Sequence, residues 1–452
     1  MNGPIVMKFG GTSVADADRL RGVASLATER EEAGVLLVLS AFSGVTDSLF
    51  AAGRAAVAGE EKEALGLLDK TIERHRAVAA ELLGVSPSAL PAPVEAAIEA
   101  ARAELGSVLR GSALLGALPD RSMDILAGRG ELLSTAILAA FMDAPWVDAR
   151  EVMRTDSRFG CAKPLTEEIG RLASLKVLPL VGRGKIAVTQ GYIGADASGA
   201  PTTLGRGGSD YSASLFGAAL GASEIQIWTD VEGVLTCDPR VVPKARPIEL
   251  LGYDEAAELA AFGAKVLHPS TILPAIELGI PVTVRNSMVP KGRFTTISRE
   301  SASGQGVTAL ASRAPVTVLT VTTPRMLGGS GFLASIFEAF GRRDVSVDLV
   351  ATSEVSVSVT VDGKAGLEAL AADLRELGEV RIERDRAVVA LVGERLLKTP
   401  GVPGRALAAL SEINVEMISL GANEINLSLV VERGQAAEAQ RRLHAAFFEG
   451  AE

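Results

Sequence analysis

The last third of the chain repeats itself at a fixed spacing of 70 residues, without a gap. Val345-Ser-Val-Asp lines up with Val415-Glu-Met-Ile, Glu354-Val-Ser with Glu424-Ile-Asn, Gly331 with Gly401 and Val318 with Val388. A repeat of that length is one supersecondary unit used twice. Each copy reads strand, helix, strand, strand, helix, with a final strand clearest in the first copy, which is the split βαβ arrangement. The spacing predicts a first unit at about 315–386 and a second at about 387–452 that takes in a strand from 305–314.

Residues 1–298 have a different texture. Ile5–Phe9 and Val35–Leu39 are short apolar runs of the kind that strands buried on both faces show. Helical stretches follow at Ala17–Arg30, across about 52–118 with a break at Ser86–Pro93, at Ile125–Met142 and at Asp210–Leu220. Strands at Trp146–Asp148, Lys185–Tyr192, Ile225–Trp228 and Pro281–Arg285, with helices at Ala256–Lys265 and Thr271–Glu277, keep the alternation going. The expected fold is an α/β layered domain with a mainly parallel sheet over 1–298, then two small α+β modules over 299–452.

Composition excludes several functions. Lys+Arg number 45 and Asp+Glu 55, a net charge of −10, and no clustered basic face marks a nucleic-acid binder. No run reaches the roughly 18–20 apolar residues of a membrane span, and Met1–Lys8 carries no cationic leader. The expectation is a soluble cytoplasmic protein with no nucleic-acid or membrane partner. Cys161 and Cys237 are the two cysteines, and His75, His268 and His444 lie far apart in sequence, so neither a disulfide framework nor a protein-held metal site is expected. The chemistry falls to Lys, Arg, Asp, Glu, hydroxyls and backbone amides.

Three loops offer such chemistry. The first strand runs into Lys8-Phe-Gly-Gly-Thr-Ser-Val14, where Gly10 and Gly11 let the backbone approach a ligand and Lys8 adds a charge suited to a phosphoryl group. A tight turn with a snorkelling lysine would look the same. Thr202-Thr-Leu-Gly-Arg-Gly-Gly-Ser-Asp210 leads into a helix, with Arg206 as a forked anion donor, although Asp210 would serve equally as a helix N-cap. Trp228-Thr-Asp-Val, then Asp238-Pro-Arg240, puts Thr229 and Asp230 at a strand end, where open α/β sheets bind ligands. Ser40 to Thr46 ends the second strand in the same way. Glu131 sits in an apolar helix and needs a partner, for which a substrate ammonium would serve. Lys265 stands near a helix end in Phe262-Gly-Ala-Lys-Val-Leu-His-Pro269. Neither a Walker A sequence nor a G-x-G-x-x-G fingerprint occurs. An anion cradle with two cationic ends suits phosphoryl transfer from a nucleotide.

These motifs, in this order and over essentially the whole chain, resemble aspartokinase, and the repeat resembles that family's tandem ACT modules. The length fits the monofunctional form. The resemblance implies the amino-acid-kinase sandwich, and transfer of phosphate from ATP, with Mg²⁺ held mainly by its phosphates, to the side-chain carboxylate of L-aspartate. That reaction opens lysine, threonine and methionine biosynthesis. It implies Lys8 and Asp210 as catalytic, and Thr46, Glu131, Arg206, Gly207, Gly208 and Ser209 around aspartate. Lys8, Gly10, Gly11, Ser40, Thr229, Asp230, Leu235, Arg240, Lys265 and Val266 would hold ATP. L-lysine would be the effector, on Met326, Gly329, Gly331, Phe332, Leu333, Ser346, Val347, Asp348, Ser353 and Glu354, in a homodimer or tetramer built through the ACT modules. Two positions depart from the family: Leu235 stands where a tyrosine often faces adenine, and Gly329 where lysine-sensitive relatives tend to have serine. Threonine therefore stays open as the effector. Two rivals are a kinase acting on glutamate or its N-acetyl form and a silent amino-acid sensor. The first should lack the Thr203–Tyr211 and Phe262–Pro269 motifs. The second is opposed by Lys8, Arg206 and Asp210 occurring together.

Overall fold

The computed structural model describes residues 3–263, 269–300, 306–328, 330–362 and 366–449. Val35–Leu39 is buried at every position, which is why its sequence has no polar face. It is strand β2, and β1 (Ile5–Phe9) lies beside it in parallel, Ile5 opposite Val35 and Phe9 opposite Leu39. The other strands of the first domain are β3 (Trp146–Val147), β4 (Ile186–Gln190), β5 (Ile193–Ala195), β6 (Pro201–Thr203), β7 (Glu224–Thr229), β8 (Leu250–Gly252), β9 (Val282–Asn286) and β10 (Thr295–Ser298). Eight of the ten form one sheet in the order β3-β4-β2-β1-β7-β9-β10-β8, and β5 pairs with β6 in a separate hairpin. The large sheet is parallel except between β9 and β10. Helices pack on it; the Ala17–Thr28 helix is capped by Asp16, which accepts from the Arg19 N–H at 2.9 Å.

By length and composition alone Asp120–Met142 passes for a membrane span, although Asp124, Arg129 and Glu131 interrupt its apolar residues. It is in fact two helices, Asp120–Ala127 and Arg129–Met142, with 67% of its most apolar window buried inside the fold. Leu126, Leu133, Ile137 and Leu138 are part of the same core as Leu37 and Val188.

Two compact units emerge, and they do not divide at one point. One holds Met1–Val234, Glu249–Tyr253 and Leu267–Glu300; the other holds Leu235–Ile248, Asp254–Val266 and Ser301–Glu452. The segments Leu235–Ile248 and Asp254–Val266, assigned by sequence texture to the first domain, thus cluster with the second unit. Cys237 and Val242 are buried in one core with Leu443 and Leu429, and the Thr236 hydroxyl meets His444 Nε2 at 3.0 Å.

The second unit shows the 70-residue repeat in three dimensions. Its strands are β11 (Ala309–Thr322), β12 (Val350–Thr352), β13 (Ser356–Asp362), β14 (Glu379–Val392), β15 (Met417–Leu420) and β16 (Asn426–Glu432), in one sheet ordered β12-β13-β11-β14-β16-β15. β13 and β16 are 70 residues apart at both ends. Gly331 and Gly401 precede the helices Phe332–Arg342 and Val402–Ala409 with φ of +83° and +86°. Ala309–Arg313 pairs with Val388–Val392, while Val316–Thr322 pairs with the Glu379–Arg386 half of β14. The two longest strands therefore each serve both modules.

Leu37 is fully buried at the centre of the first unit's core. Leu37→Ala should cost about 2–5 kcal/mol. The thermal transition of that unit should fall by on the order of 10 °C, while Leu175→Ala, at an exposed site, should barely move any transition in a calorimetric scan.

Candidate active site

Because β1, β2 and β7 run parallel and in register, the loops after Phe9, Leu39 and Thr229 leave the same edge of the sheet. A cavity of about 880 Å³ opens there. Lys8, Gly10, Gly11, Ser40, Thr46, Glu131, Arg206, Gly207, Gly208, Ser209, Asp210 and Asp230 all line it. Twelve of the residues singled out in the sequence are thereby brought together from loops spread over more than 200 positions.

Lys8 points off β1 with only 9% of its surface exposed. Its Nζ lies 2.6 Å from Asp210 Oδ1. The helix carrying Asp210 starts at Gly208, with Gly207 before it at φ +70°, so Asp210 is in the first turn and is not the N-cap. A carboxylate there also benefits from the positive end of the helix. Ser209 joins the β2 loop through Ser40, hydroxyl to hydroxyl at 3.0 Å. Arg206 is exposed, and no partner for its guanidinium occurs among the described residues.

Glu131 enters from the other side. Its helix approaches the β2 loop so closely that a Cβ on Gly130 would sit 2.5 Å from the Ala41 methyl. That approach carries Glu131 into the cavity wall, 3% exposed, with Oε2 buried and unpartnered. Burial raises its pKa from 4.5 to about 7, against the lowering effect of backbone N–H groups of Ala41 and Glu131 itself. An ammonium group seated beside it would restore the ionised form.

The sequence reading overlooked Tyr192, which lines the same cavity. It is held at φ +71°, an unusual backbone for an aromatic residue, with its N–H donated to Ser212 Oγ at 2.9 Å. Only the neighbouring Gly191 hints at it: a Cβ on Gly191 would lie 2.8 Å from the Ser209 Cβ.

Other expected residues are placed elsewhere. Thr229 ends β7 beside the cavity and donates to Asp230 Oδ1 at 3.2 Å. Leu235 and Arg240 belong to the second unit. Leu235 is half-buried and bridges to Pro247; Arg240 is exposed and forks onto Asp238, Nη2 to Oδ2 at 2.6 Å. Lys265 and Val266 lie outside the described residues, as does Gly329.

In the first ACT-like module, Met326, Phe332 and Val347 are half-buried, while Gly331, Leu333, Ser346, Asp348, Ser353 and Glu354 are exposed. Asp348 and Glu354, expected to share one effector, stand at opposite ends of a hairpin. The Asp348 N–H bonds to the Thr360 carbonyl at 3.0 Å, whereas Glu354 sits in the Ser353–Ser356 turn. At about 3.3 Å per residue, the intervening strand holds them farther apart than the two ammonium groups of one lysine. Asp348 is instead ion-paired with Arg313, which the sequence did not single out.

Comparison with known proteins gives consistent matches. The Amino acid kinase family profile matches residues 3–286, and an ACT domain profile matches 319–372 and 389–447. Lysine-sensitive aspartokinase 3 of Escherichia coli is 39% identical over 98% of this chain and 99% of its own length. The crystal structure of E. coli aspartokinase III with aspartate and ADP superposes with a TM-score of 0.84 at 38% identity, over 98% of this chain and 100% of that one. The same enzyme with lysine and aspartate gives 0.78 at the same identity, over 98% and 99%.

Glu131 generates a pH test. The native state binds a proton that the unfolded chain has released, so this group makes stability fall as pH rises from about 4.5 to about 7, by about 3 kcal/mol in total. Glu131→Gln should lose that part of the slope, giving a flatter unfolding temperature between pH 5 and pH 8 in the ligand-free protein.

Proposed function

The chain belongs to the aspartokinases of the amino acid kinase family, and from that premise we propose that the cavity transfers the γ-phosphoryl group of ATP to the side-chain carboxylate of L-aspartate. One observation carries the reading. A buried Glu131 carboxylate with its Oε2 unpartnered and an Arg206 guanidinium with no partner among the described residues line one cavity with the Lys8–Asp210 pair. This is the complement of a zwitterionic amino acid set next to a phosphoryl-transfer centre.

The roles follow from charge. Arg206 takes the α-carboxylate with its fork, and Glu131 takes the α-ammonium. Thr46 and Ser209 add hydroxyls. The β-carboxylate needs no general base, being ionised at pH 7. Its oxygen attacks the γ-phosphorus, the bond to the β-phosphate oxygen breaks, and ADP leaves with that electron pair. Lys8 stays beside the oxygens where charge accumulates, and Asp210 fixes its ammonium. Gly10, Gly11, Ser40, Thr229 and Asp230 serve the nucleotide side. Mg²⁺ enters this reading with the nucleotide, held mainly by its phosphates, as part of the substrate.

Lysine is the effector in this reading, bound in the first ACT module of a homodimer. The modules expose matching apolar side chains 70 residues apart: Leu327 and Leu397, Phe337 and Leu407, Val350 and Leu420. β12 and β15, which carry two of them, are the edge strands of the sheet, and a second copy would cover both. A dimer would also supply the second carboxylate that the hairpin geometry withholds within one chain.

An ADP-release assay across aspartate, glutamate and N-acetylglutamate should give turnover with aspartate. Arg206→Ala should raise the KM for aspartate at least tenfold while leaving that for ATP within about twofold. Equal rises would assign Arg206 to the nucleotide. Wild-type activity should fall with lysine, and Asp348→Ala should raise the half-inhibitory lysine concentration by about 5–150-fold with little change in uninhibited rate. Inhibition by threonine alone would overturn the effector assignment.

A further inference from the structure

The loop after β2 is held from behind by a helix that no motif points to. Glu61–Leu83 presents Arg74 and His75 to Ser40–Val45. The two terminal nitrogens of Arg74 reach two different loops: Nη1 donates to the Ser43 carbonyl at 2.7 Å, and Nη2 to the Ala15 carbonyl at 2.9 Å. The same guanidinium lies 5.9 Å from the centre of the Phe42 ring, which stacks on His75 at 4.7 Å and 15°. His75 is fully buried and bonded through Nδ1 to the Thr71 carbonyl at 2.7 Å. Burial lowers its pKa to about 4, so the stack is neutral at pH 7 and Arg74 supplies the local charge.

The consequence follows from the geometry of one peptide unit. In a trans peptide the C=O and N–H point to opposite sides. With the Ser43 carbonyl turned toward Arg74, the N–H of Gly44 is turned away from it. Gly44 lines the cavity, at φ +79°, and its N–H has no partner among the described residues. The Ser43 N–H, meanwhile, donates to the Gly11 carbonyl at 3.1 Å, so the two loops are already tied once. We propose that Arg74 is a positioning residue for phosphoryl transfer: its grip on Ser43 aims the Gly44 N–H at the anionic groups in the cavity, and its grip on Ala15 fixes the Gly10–Thr12 loop relative to that donor. This rests on the kinase reading and adds to it a residue that touches no substrate.

A lysine can reach one carbonyl but cannot span both as a planar fork does. Arg74→Ala should therefore lower kcat at 25 °C at least tenfold, with both KM values within threefold and the unfolding temperature within a few degrees of wild type. Arg74→Lys should recover part of the loss. Millimolar guanidinium chloride, far below denaturing concentrations, should raise the rate of Arg74→Ala severalfold and leave wild type unchanged. Hydrogen exchange in the 40–46 segment should quicken in Arg74→Ala. The proposal is overturned if Arg74→Ala keeps more than half of wild-type kcat, or if its rate loss only tracks a lowered unfolding temperature and guanidinium restores nothing. If wild type shows no aspartate-dependent turnover, the kinase reading falls by itself. Exchange in 40–46 then decides for Arg74: unchanged exchange overturns the loop-positioning role, and faster exchange sustains it.

Discussion

Everything at the active edge depends on the ion pair that holds the Lys8 ammonium in place where water is scarce. A lysine at the end of a central parallel strand is nearly enclosed, and a buried charge needs a partner. Asp210, 2.6 Å away, is that partner, and it comes from a helix preceded by Gly207 in a left-handed backbone. The pair in turn requires β1 and the start of that helix to be fixed within a fraction of an ångström. The unbroken apolar runs of β1 and β2 secure one side of that requirement. The glycine loop, pressed between Tyr192 and the helix, secures the other.

Much of this is legible in the sequence, and the reason differs from feature to feature. Val35–Leu39 can be read as a buried parallel strand because it contains no polar residue to face water. The repeat can be read to the residue because β13 and β16, and Gly331 and Gly401, keep the spacing without insertion. The three-residue strands Ile193–Ala195 and Pro201–Thr203 escape because a run that short has no period to detect. Tyr192, Arg74 and Arg313 escape for another reason: each acts by meeting backbone or side chains distant in sequence, and nothing local distinguishes it from a surface residue. Arg240 shows the reverse. Asp238-Pro-Arg looks like a presented cation, but within that turn the guanidinium is already engaged by the carboxylate two residues earlier.

The two ACT modules share a frame and differ in what their equivalent loops touch. In the second, Asn423 and Asn426 donate to Glu258 at 2.8 and 2.6 Å, and the Glu394 N–H donates to buried Glu255 at 3.0 Å. The matching positions of the first, Ser353 and Ser356, bond to each other, hydroxyl to hydroxyl at 2.7 Å. One copy of the repeat thus spends its polar groups on a neighbouring helix of its own chain, while the other leaves them exposed. That asymmetry is what a duplicated module needs if one copy is to be structural and the other is to answer a ligand.

Glu131 extends the same logic from structure to binding. A carboxylate buried with one oxygen unpartnered destabilises the ligand-free protein at neutral pH, and a mutation to glutamine or leucine would relieve it. Its retention makes sense only if something else gains. In the proposed reading an incoming amino acid brings an ammonium group that would ionise Glu131 and satisfy Oε2, so part of the stability lost in the empty site would return as binding free energy. A substrate without a free α-ammonium, such as an N-acylated amino acid, would leave that carboxylate unpaired and would also have to place an acyl group against it. On that reading, discrimination between a free amino acid and its acylated form would lie in the orphaned oxygen of Glu131, whereas Arg206, reading only a carboxylate, would be blind to the difference.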